Sequence, residues 1–437
     1  MLKTLQNALK VEDIRKRLFY TFLMLIVVRF GSQLPVPGVD PTYFKTFFAA
    51  QVDTFNFFNA ITGGSFEDFS VFALSITPYI TSSIIIQLLT IAIPKLEEMQ
   101  KDGEDGRKKI AELTRYVTVA LALIQSIALS VGFGNRGLLT TFNWQSVVIV
   151  VLTLTAGSAF LMWVGERITE NGVGNGISII LLVNILSRMP NDFNTLYETF
   201  IKSKSTAVGV VAAVIILAIV IAIVAFVVLL TGATRKIPVQ YSQKVQGRKL
   251  VGGQSSHIPL KVNTAGVIPV IFASSLMSFP VIIAQFFEVN YESIGGKILL
   301  GLSSSNWCNP DKPIYSIGLL VYIALIIVFA YFYTSITFNP LEVANNMKKQ
   351  GGFIPGIRPG KPTSDYLNKI LNYIVLIGAV GLVIVAILPI IFSGVFGIGA
   401  LSFGGTSIII VVGVVLETLK QIESRMLVRN YKGFLTD

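Results

Sequence analysis

Residues 207–231 read AVGVVAAVIILAIVIAIVAFVVLLT, a stretch without one charged side chain. A helix of about 20 apolar residues is long enough to cross the hydrocarbon core of a bilayer. Stretches of the same character precede and follow it, so the sequence predicts an all-α integral membrane protein with ten transmembrane helices. The predicted spans are 18–34, 70–93, 115–133, 145–165, 176–190, 207–231, 263–287, 315–338, 369–392 and 403–420.

The composition and the distribution of basic residues agree with this prediction. The chain is 53% hydrophobic and 14% charged, whereas soluble proteins are about 25% charged. Of 35 Lys and Arg residues, 27 fall in the odd-numbered loops and 7 in the even-numbered loops, while Arg29 lies near the end of the first span. The positive-inside rule then predicts that the odd side, with both termini, is cytoplasmic. We expect a multi-pass protein without a cleavable signal peptide, since residues 1–17 are polar and basic.

One segment breaks the pattern of full-length spans. Residues 55–70, FNFFNAITGGSFEDFS, are apolar enough to enter the protein but too short and glycine-rich to cross it. We predict a half-inserted helix that ends at Gly63-Gly64. Lipid tolerates no unpaired backbone, so such a segment must be buried in protein or line an aqueous cavity. The alternative is a helix that lies on the outer surface.

Polar and aliphatic side chains within the spans suggest specific contacts. Gln87, Gln125 and Asn263 lie inside or at the edge of spans two, three and seven. Each could be an ordinary helix-to-helix hydrogen bond, but together they could form one separable polar contact. Ile76 and Ile80 share one helix face, as do Ile177 and Leu181, because residues four apart lie on the same side. Ordinary packing is the alternative interpretation of these two pairs.

Two cytoplasmic loops have turn chemistry of their own. Residues 234–261 hold six basic groups, with a predicted strand at 237–241 and a predicted turn at Gly247-Arg248. Residues 351–362 are held out of helix by Gly and Pro and present Arg358 at their tip. Basic loops usually serve only as topology signals, but loops this long predict a docking surface in the cytosol. Such a surface suits an acidic soluble partner, ribosomal RNA or anionic lipid headgroups.

The sequence argues against catalysis. One His and one Cys cannot form a zinc site of the usual ligand sets. The run from Gly172 to Gly176 lacks the spacing and the βαβ unit of a dinucleotide-binding fingerprint. We therefore expect no enzyme activity, no cofactor and no metal, and an energy source supplied by a partner, a gradient or the ribosome.

Five motifs, in order and over nearly the whole chain, resemble the SecY family, whose members form the channel of the bacterial Sec protein translocon. They are ITPYI at 76–80, GVGNGIS at 172–178, LKVNTAGVIP at 260–269, FIPGIRPG at 353–360 and FGGTS at 403–407.

The resemblance implies two pseudosymmetric five-helix halves, 1–190 and 207–437, joined by an external hinge loop at 191–206. It implies a pore closed by an aliphatic ring, a plug at about 55–68, and a lateral gate formed by spans two, three, seven and eight. Leu181 departs from the more frequent Ile but keeps its bulk. The implied residues are Ile76, Ile80, Ile177, Leu181, Ile271 and Ile410 in the ring, Asn59, Gly63, Gly64, Phe66 and Glu67 in the plug, and Gln87, Gln125 and Asn263 in the gate.

The resemblance also implies partners and a location. Unfolded precursor chains and signal sequences would pass through the channel, with SecE and SecG-like small subunits bracing it in the cytoplasmic membrane of a bacterium. Loops 232–262 and 339–369 would contact the SecA motor ATPase or the ribosome through Arg235, Lys236, Arg248, Lys249 and Arg358. A secondary active transporter with inverted repeats is the rival class, but its coupling site should carry ionisable mid-span residues.

Overall fold

The computed structural model describes residues 9–40, 42, 46, 59, 61–198, 202, 206–241, 244–246, 249–251, 255–284, 293–303, 306–308, 313–396 and 405–432. A helix lies in each of the ten segments that the sequence predicts to span a membrane. These helices are α1 (Glu12–Gly31), α2 (Thr77–Ala92), α4 (Glu104–Phe133), α5 (Trp144–Asn171), α6 (Gly176–Tyr197), α7 (Thr206–Gly232), α8 (Ile268–Ala284), α10 (Ile317–Thr337), α12 (Lys361–Phe396) and α13 (Gly405–Lys432). Shorter helices in the connections are α3 (Pro94–Lys101), α9 (Ile294–Leu302) and α11 (Pro340–Lys349).

Not every one of these helices is by itself a clear membrane span. Within the described residues, 5 helices are long and apolar enough to cross, or 6 if α2 and α3, which meet at 107°, count as one. The bend falls at Ile93, which is extended because Pro94 follows it. Residues Ile268–Met277 of α8 form a shorter apolar helix. The mostly helical membrane fold is thus confirmed, while the count of ten spans stays a prediction.

Several helix ends differ from the predicted ends of the spans. α4 begins at Glu104 instead of 115, and α12 begins at Lys361 instead of 369. Hydropathy marks the edge of the apolar region, whereas a helix continues through charged residues. Acidic residues in the first turn of α4 stabilise that extension, since they face the positive end of the helix dipole. α6 likewise continues to Tyr197, into the predicted hinge loop, with Pro190 inside it.

The helices contact one another in two groups. One group holds α1, α2, α4, α5 and α6, and the other holds α7, α8, α10, α12 and α13. α6 and α13 contact each other across the boundary between the groups. Each group has a buried apolar core of its own, and a third apolar cluster contains side chains of both groups. The first group lies within 12–197 and the second within 206–432. The division into two pseudosymmetric halves stays a prediction, and most of loop 191–206 after Tyr197 lies outside the described residues.

The two long loops that the sequence predicts to be cytoplasmic form one small folded unit. Strand β1 (Thr234–Tyr241) pairs antiparallel with β4 (Ser255–Lys261), and its last two residues pair with β5 (Gly352–Phe353). β1 confirms the strand predicted at 237–241. Between them, β2 (Lys244–Gln246) pairs with β3 (Lys249–Val251), and the predicted turn at Gly247-Arg248 lies outside the described residues. An apolar core that includes Ile237, Leu260 and Leu367 joins this sheet to α12.

Candidate channel site

The six aliphatic residues assigned to the ring lie in one apolar cluster between the two groups of helices. Ile76, Leu181 and Ile410 are buried members of the cluster, and Ile80, Ile177 and Ile271 pack against it. They come from the start of α2, from α6, from α8 and from α13. Four helices, two from each group, therefore bring branched alkyl side chains to one place.

The described part of the predicted plug segment is buried, and Ile61 belongs to the same cluster. Asn59 is helical, and Ile61 and Thr62 are 4% and 2% exposed. Gly63 and Gly64 follow with φ angles of 67° and 90°, in the left-handed region that only Gly adopts freely. The described part of the segment thus agrees with a helix that ends at the two glycines, whereas residues 55–58 and 60 lie outside the described residues. The surface alternative is wrong, because Phe66 is 7% exposed and belongs to the core of the first group.

Polar side chains of α6 and α1 bind the backbone of the plug. Asn184 Nδ2 donates to the Ile61 carbonyl at 3.2 Å, and Ser187 Oγ donates to the Gly63 carbonyl at 3.4 Å. Arg29 Nη1 reaches the same Gly63 carbonyl at 3.5 Å. A β-carbon at Gly63 would lie 2.9 Å from the Asn184 backbone, so only glycine fits this close approach. The backbone of the plug is therefore bound to two neighbouring helices.

Side-chain contacts add to these backbone contacts. Glu67 Oε2 accepts from Arg188 Nη1 at 2.6 Å and from Asn59 Nδ2 at 2.9 Å. Sequence reasoning missed Arg188, Asn184 and Ser187. Their signal was the spacing of three and four residues on one face of an otherwise apolar span.

The three amides assigned to the gate lie in different surroundings. The Gln87 side chain of α2 lies near the hydroxyl of Tyr333 on α10. Asn263 is 8% exposed and lines a small cavity with Thr334 of α10 and Gly378 of α12. Adjacent residues of a helix point about 100° apart, so α10 presents Tyr333 and Thr334 in different directions. Gln125 lies half-buried on α4. Sequence reasoning missed the proximity of Gln87 to Tyr333, which lie on helices of different groups.

The glycine-rich loop at 172–176 lies at the boundary between the groups, on the side of α1 and α13. Val173 is 2% exposed and packs in a cluster with Ile14 of α1 and Ile422 of α13. Gly174 has a φ angle of 78°, and a β-carbon there would lie 2.9 Å from Thr418 Oγ1 of α13. The motif therefore allows close packing of backbone against a neighbouring helix, which explains its glycines without a nucleotide.

The small folded unit formed by the two long loops presents basic side chains to solvent. Arg235 and Lys236 are exposed on β1, and Arg358 is exposed in the turn after β5. The Thr363 hydroxyl donates to the Arg358 carbonyl at 2.8 Å, which fixes the backbone of that turn at the start of α12. Arg248 lies outside the described residues, and of Lys249 only the backbone, in β3, is described. Because β1 and β5 pair, the two predicted docking loops form a single surface.

Solved structures with similar folds are membrane channels. A protein-conducting channel structure superposes with a TM-score of 0.64 at 18% identity, covering 94% of this chain and 92% of that chain. Sec61 in the canine ribosome-channel complex from the endoplasmic reticulum gives a TM-score of 0.60 at 17% identity, covering 94% and 92%. The fold is that of the protein-conducting channels.

Sequence comparisons are more specific. The SecY family model matches residues 70–419. The protein translocase subunit SecY of Halalkalibacterium halodurans is 45% identical over 100% of both chains. The protein translocase subunit SecY of Bacillus subtilis is 43% identical, again over 100% of both chains. The chain belongs to the SecY family.

Proposed function

We propose that this chain is a protein-conducting channel of a bacterial cytoplasmic membrane. It passes unfolded precursor chains across the membrane and releases apolar segments sideways into lipid. The observation that carries this proposal is the cluster in which Ile76, Ile80, Ile177, Leu181, Ile271 and Ile410 meet between the two groups of helices. Branched alkyl groups from four helices exclude water when packed together, yet offer a passing peptide no strong binding site.

The plug and the boundary contacts complete a closed state. The plug is buried by apolar packing and held by hydrogen bonds from α1 and α6. On the side of α2 and α10, the Gln87 side chain lies near the Tyr333 hydroxyl, and we infer a polar contact between the groups there. An interhelical hydrogen bond in a membrane contributes about 0.6 kcal/mol. Such a contact holds two helices together at rest and separates at small cost, as a lateral gate requires.

The cytoplasmic unit supplies a docking surface for a partner that provides energy. Its exposed cations are Arg235, Lys236 and Arg358. A guanidinium can bind carboxylates of the SecA motor ATPase or phosphates of ribosomal RNA in bidentate fashion. Relatives of this chain are translocase subunits, and neighbours of its fold include a channel bound to a ribosome. We infer that SecE and SecG-like small subunits brace the channel in lipid, with both termini in the cytoplasm.

The rival function is a secondary active transporter. Such proteins carry ionisable residues at a midplane site for ion coupling. Here Glu166 pairs with Arg115 at 2.7 Å, near the cytoplasmic ends of α4 and α5. Arg29 and Glu417 also lie toward the ends of predicted spans. The aliphatic composition of the central cluster favours a channel that is closed by packing.

Reconstitution separates the two functions. Purified chain with its small subunits is placed in lipid vesicles with the motor ATPase and a radiolabelled precursor. A channel makes the precursor resistant to external protease only with ATP and an intact signal sequence. A transporter accumulates small solutes in response to an ion gradient and leaves the precursor exposed. Precursor that stays fully digestible, with the channel correctly inserted, would refute the proposal.

A further inference from the structure

One ion pair of the structure joins the plug to a helix far away in sequence. Arg188 Nη1 of α6 lies 2.6 Å from Glu67 Oε2 of the plug segment, and their side chains are 17% and 33% exposed. The same carboxylate oxygen accepts from Asn59 Nδ2 at 2.9 Å. One acceptor thus receives hydrogen bonds from the plug itself and from the wall around it.

The local backbone leaves room for this pair. Gly64 has a φ angle of 90°, and a β-carbon built there would lie 3.2 Å from Arg188 Nη1. Any larger side chain at this position would push the guanidinium away from the plug. The glycine pair therefore serves two purposes, since Gly63 lets the plug approach the Asn184 backbone and Gly64 lets Arg188 reach across.

The ion pair of Arg188 with Glu67 lies where its loss should destabilise the position of the plug. By contrast, the ion pair of Arg167 with Glu170 at 2.8 Å joins groups that are about half exposed, at 45% and 56%. Exposed pairs of that kind contribute little, because water solvates both partners after separation. The Arg188 guanidinium is mostly buried and its Nε has no hydrogen-bond partner among the described groups. Removal of Glu67 therefore leaves a poorly solvated cation in the wall.

We propose that Arg188 is a positioning residue for the plug, and that its ion pair with Glu67, with Asn59 as second donor, is the latch that keeps the plug in place. The proposal rests on the proposed channel function. When the plug leaves, the carboxylate moves away from the guanidinium and the two charges separate into a wetter space. The latch adds to the cost of opening and leaves the aliphatic ring unchanged.

The test measures plug release and its consequence separately. The background variant is Cys308→Ser with Ser65→Cys, because Ser65 is a plug residue that is only 2% exposed. A membrane-impermeant thiol reagent added outside then reports how often the plug leaves its site. The second readout is export of a precursor whose signal sequence is weakened. Protein abundance and association with the small subunits are measured for every variant.

Single substitutions and a charge exchange decide the outcome. Glu67→Gln and Arg188→Gln should each raise the labelling rate and the export of the weakened precursor by roughly tenfold, the size of a partly buried charge interaction. Glu67→Arg should raise the labelling rate and the export of the weakened precursor further. The double variant Glu67→Arg with Arg188→Glu should return toward the wild type, because the Asn59 amide can turn its oxygen, which has no partner at present, to the new cation. Glu170→Gln, which breaks an exposed pair, should change neither readout.

If Glu67→Gln and Arg188→Gln are both labelled at the wild-type rate, at normal protein abundance, the latch proposal is overturned. The two charges must also be coupled. If the labelling of the double variant equals the combined effect of Glu67→Arg and Arg188→Glu measured singly, the latch is overturned too. If Arg188→Gln lowers the abundance of the protein, the Glu67→Gln variant alone tests the latch, because it leaves α6 unchanged. Failure of the wild-type protein to translocate any precursor would instead refute the proposed function, whatever the labelling shows.

Discussion

Ile410 provides the most direct test of how the channel is sealed. Its side chain is 4% exposed and packs in the cluster that also holds Ile76 and Leu181. If this cluster is the seal, then opening the channel exposes Ile410 to water or to a passing chain. Ile410→Asn should therefore destabilise the closed state while leaving the open state nearly unchanged.

The magnitude follows from two effects. Full burial of an isoleucine side chain stabilises by about 1.5–3 kcal/mol, and this contribution is lost. A buried amide without partners costs about 1–3 kcal/mol more, although water entering the widened site offsets part of it. A net change of about 3 kcal/mol raises the ratio of open to closed channels by more than a hundredfold, at 1.4 kcal/mol per factor of ten.

Two assays measure this shift. The resting ion conductance of vesicles containing the channel should rise, and precursors with weakened signal sequences should be exported. Ile410→Leu keeps the volume and should change either readout little, since volume-conserving swaps usually cost under about 1.5 kcal/mol. If Ile410→Asn accumulates to wild-type levels but leaks no more ions and still demands a full signal sequence, the cluster is packing and the seal lies elsewhere.

Three further predictions concern the boundary and the cytoplasmic surface. Gly174→Ala should destabilise the purified protein by about 1–2 kcal/mol, because a non-glycine residue at a φ angle of 78° is strained. The control is Gly232→Ala, where the added carbon meets no atom within 4 Å. Equal thermal unfolding midpoints for the two variants would contradict the prediction. Tyr333→Phe removes the hydroxyl that lies near the Gln87 side chain. It should ease the release of signal helices by about threefold or less, because one polar contact between membrane helices contributes about 0.6 kcal/mol. Unchanged crosslinking of signal helices to lipid would count against it. Arg358→Glu should abolish motor-driven export at normal protein abundance, whereas Arg358→Lys should retain part of it, and full import by the Glu variant would rule out a motor contact there.

The sequence predicted the helices well, because a membrane imposes a local rule. Each span must satisfy its own backbone and be apolar over its own length. Hydropathy therefore locates α7 or α10 without any knowledge of neighbours. It fails at helix ends, as for α4, where the helix continues in water beyond the apolar region. It also says nothing of the strand pairing between β1 and β5, since β5 has only two residues and no periodicity to detect.

The contacts that distinguish this chain were harder to predict because they are distant in sequence. The six aliphatic residues share one apolar cluster, and their role as a pore ring stays a prediction. Arg188 looks like one more basic residue at the end of a span, yet it meets Glu67, which is 121 positions away. The predicted amide trio is a similar case, and its role in a gate stays a prediction. A polar side chain within a span needs a partner or water, but only the packing of α10 places the Tyr333 hydroxyl near Gln87.

Two kinds of interaction keep the proposed channel closed, namely apolar packing and directional polar contacts. In the proposed channel, the apolar ring is stable because it excludes water, so we expect it to close again whenever the passing chain leaves. The plug is held by directional contacts to Asn184, Ser187 and Arg188, each of which water can replace once the vestibule is wet. Polar contacts of this kind are strong while dry and weak when hydrated. The entry of water with a precursor should therefore release the plug abruptly, while the alkyl ring stays closed around the chain.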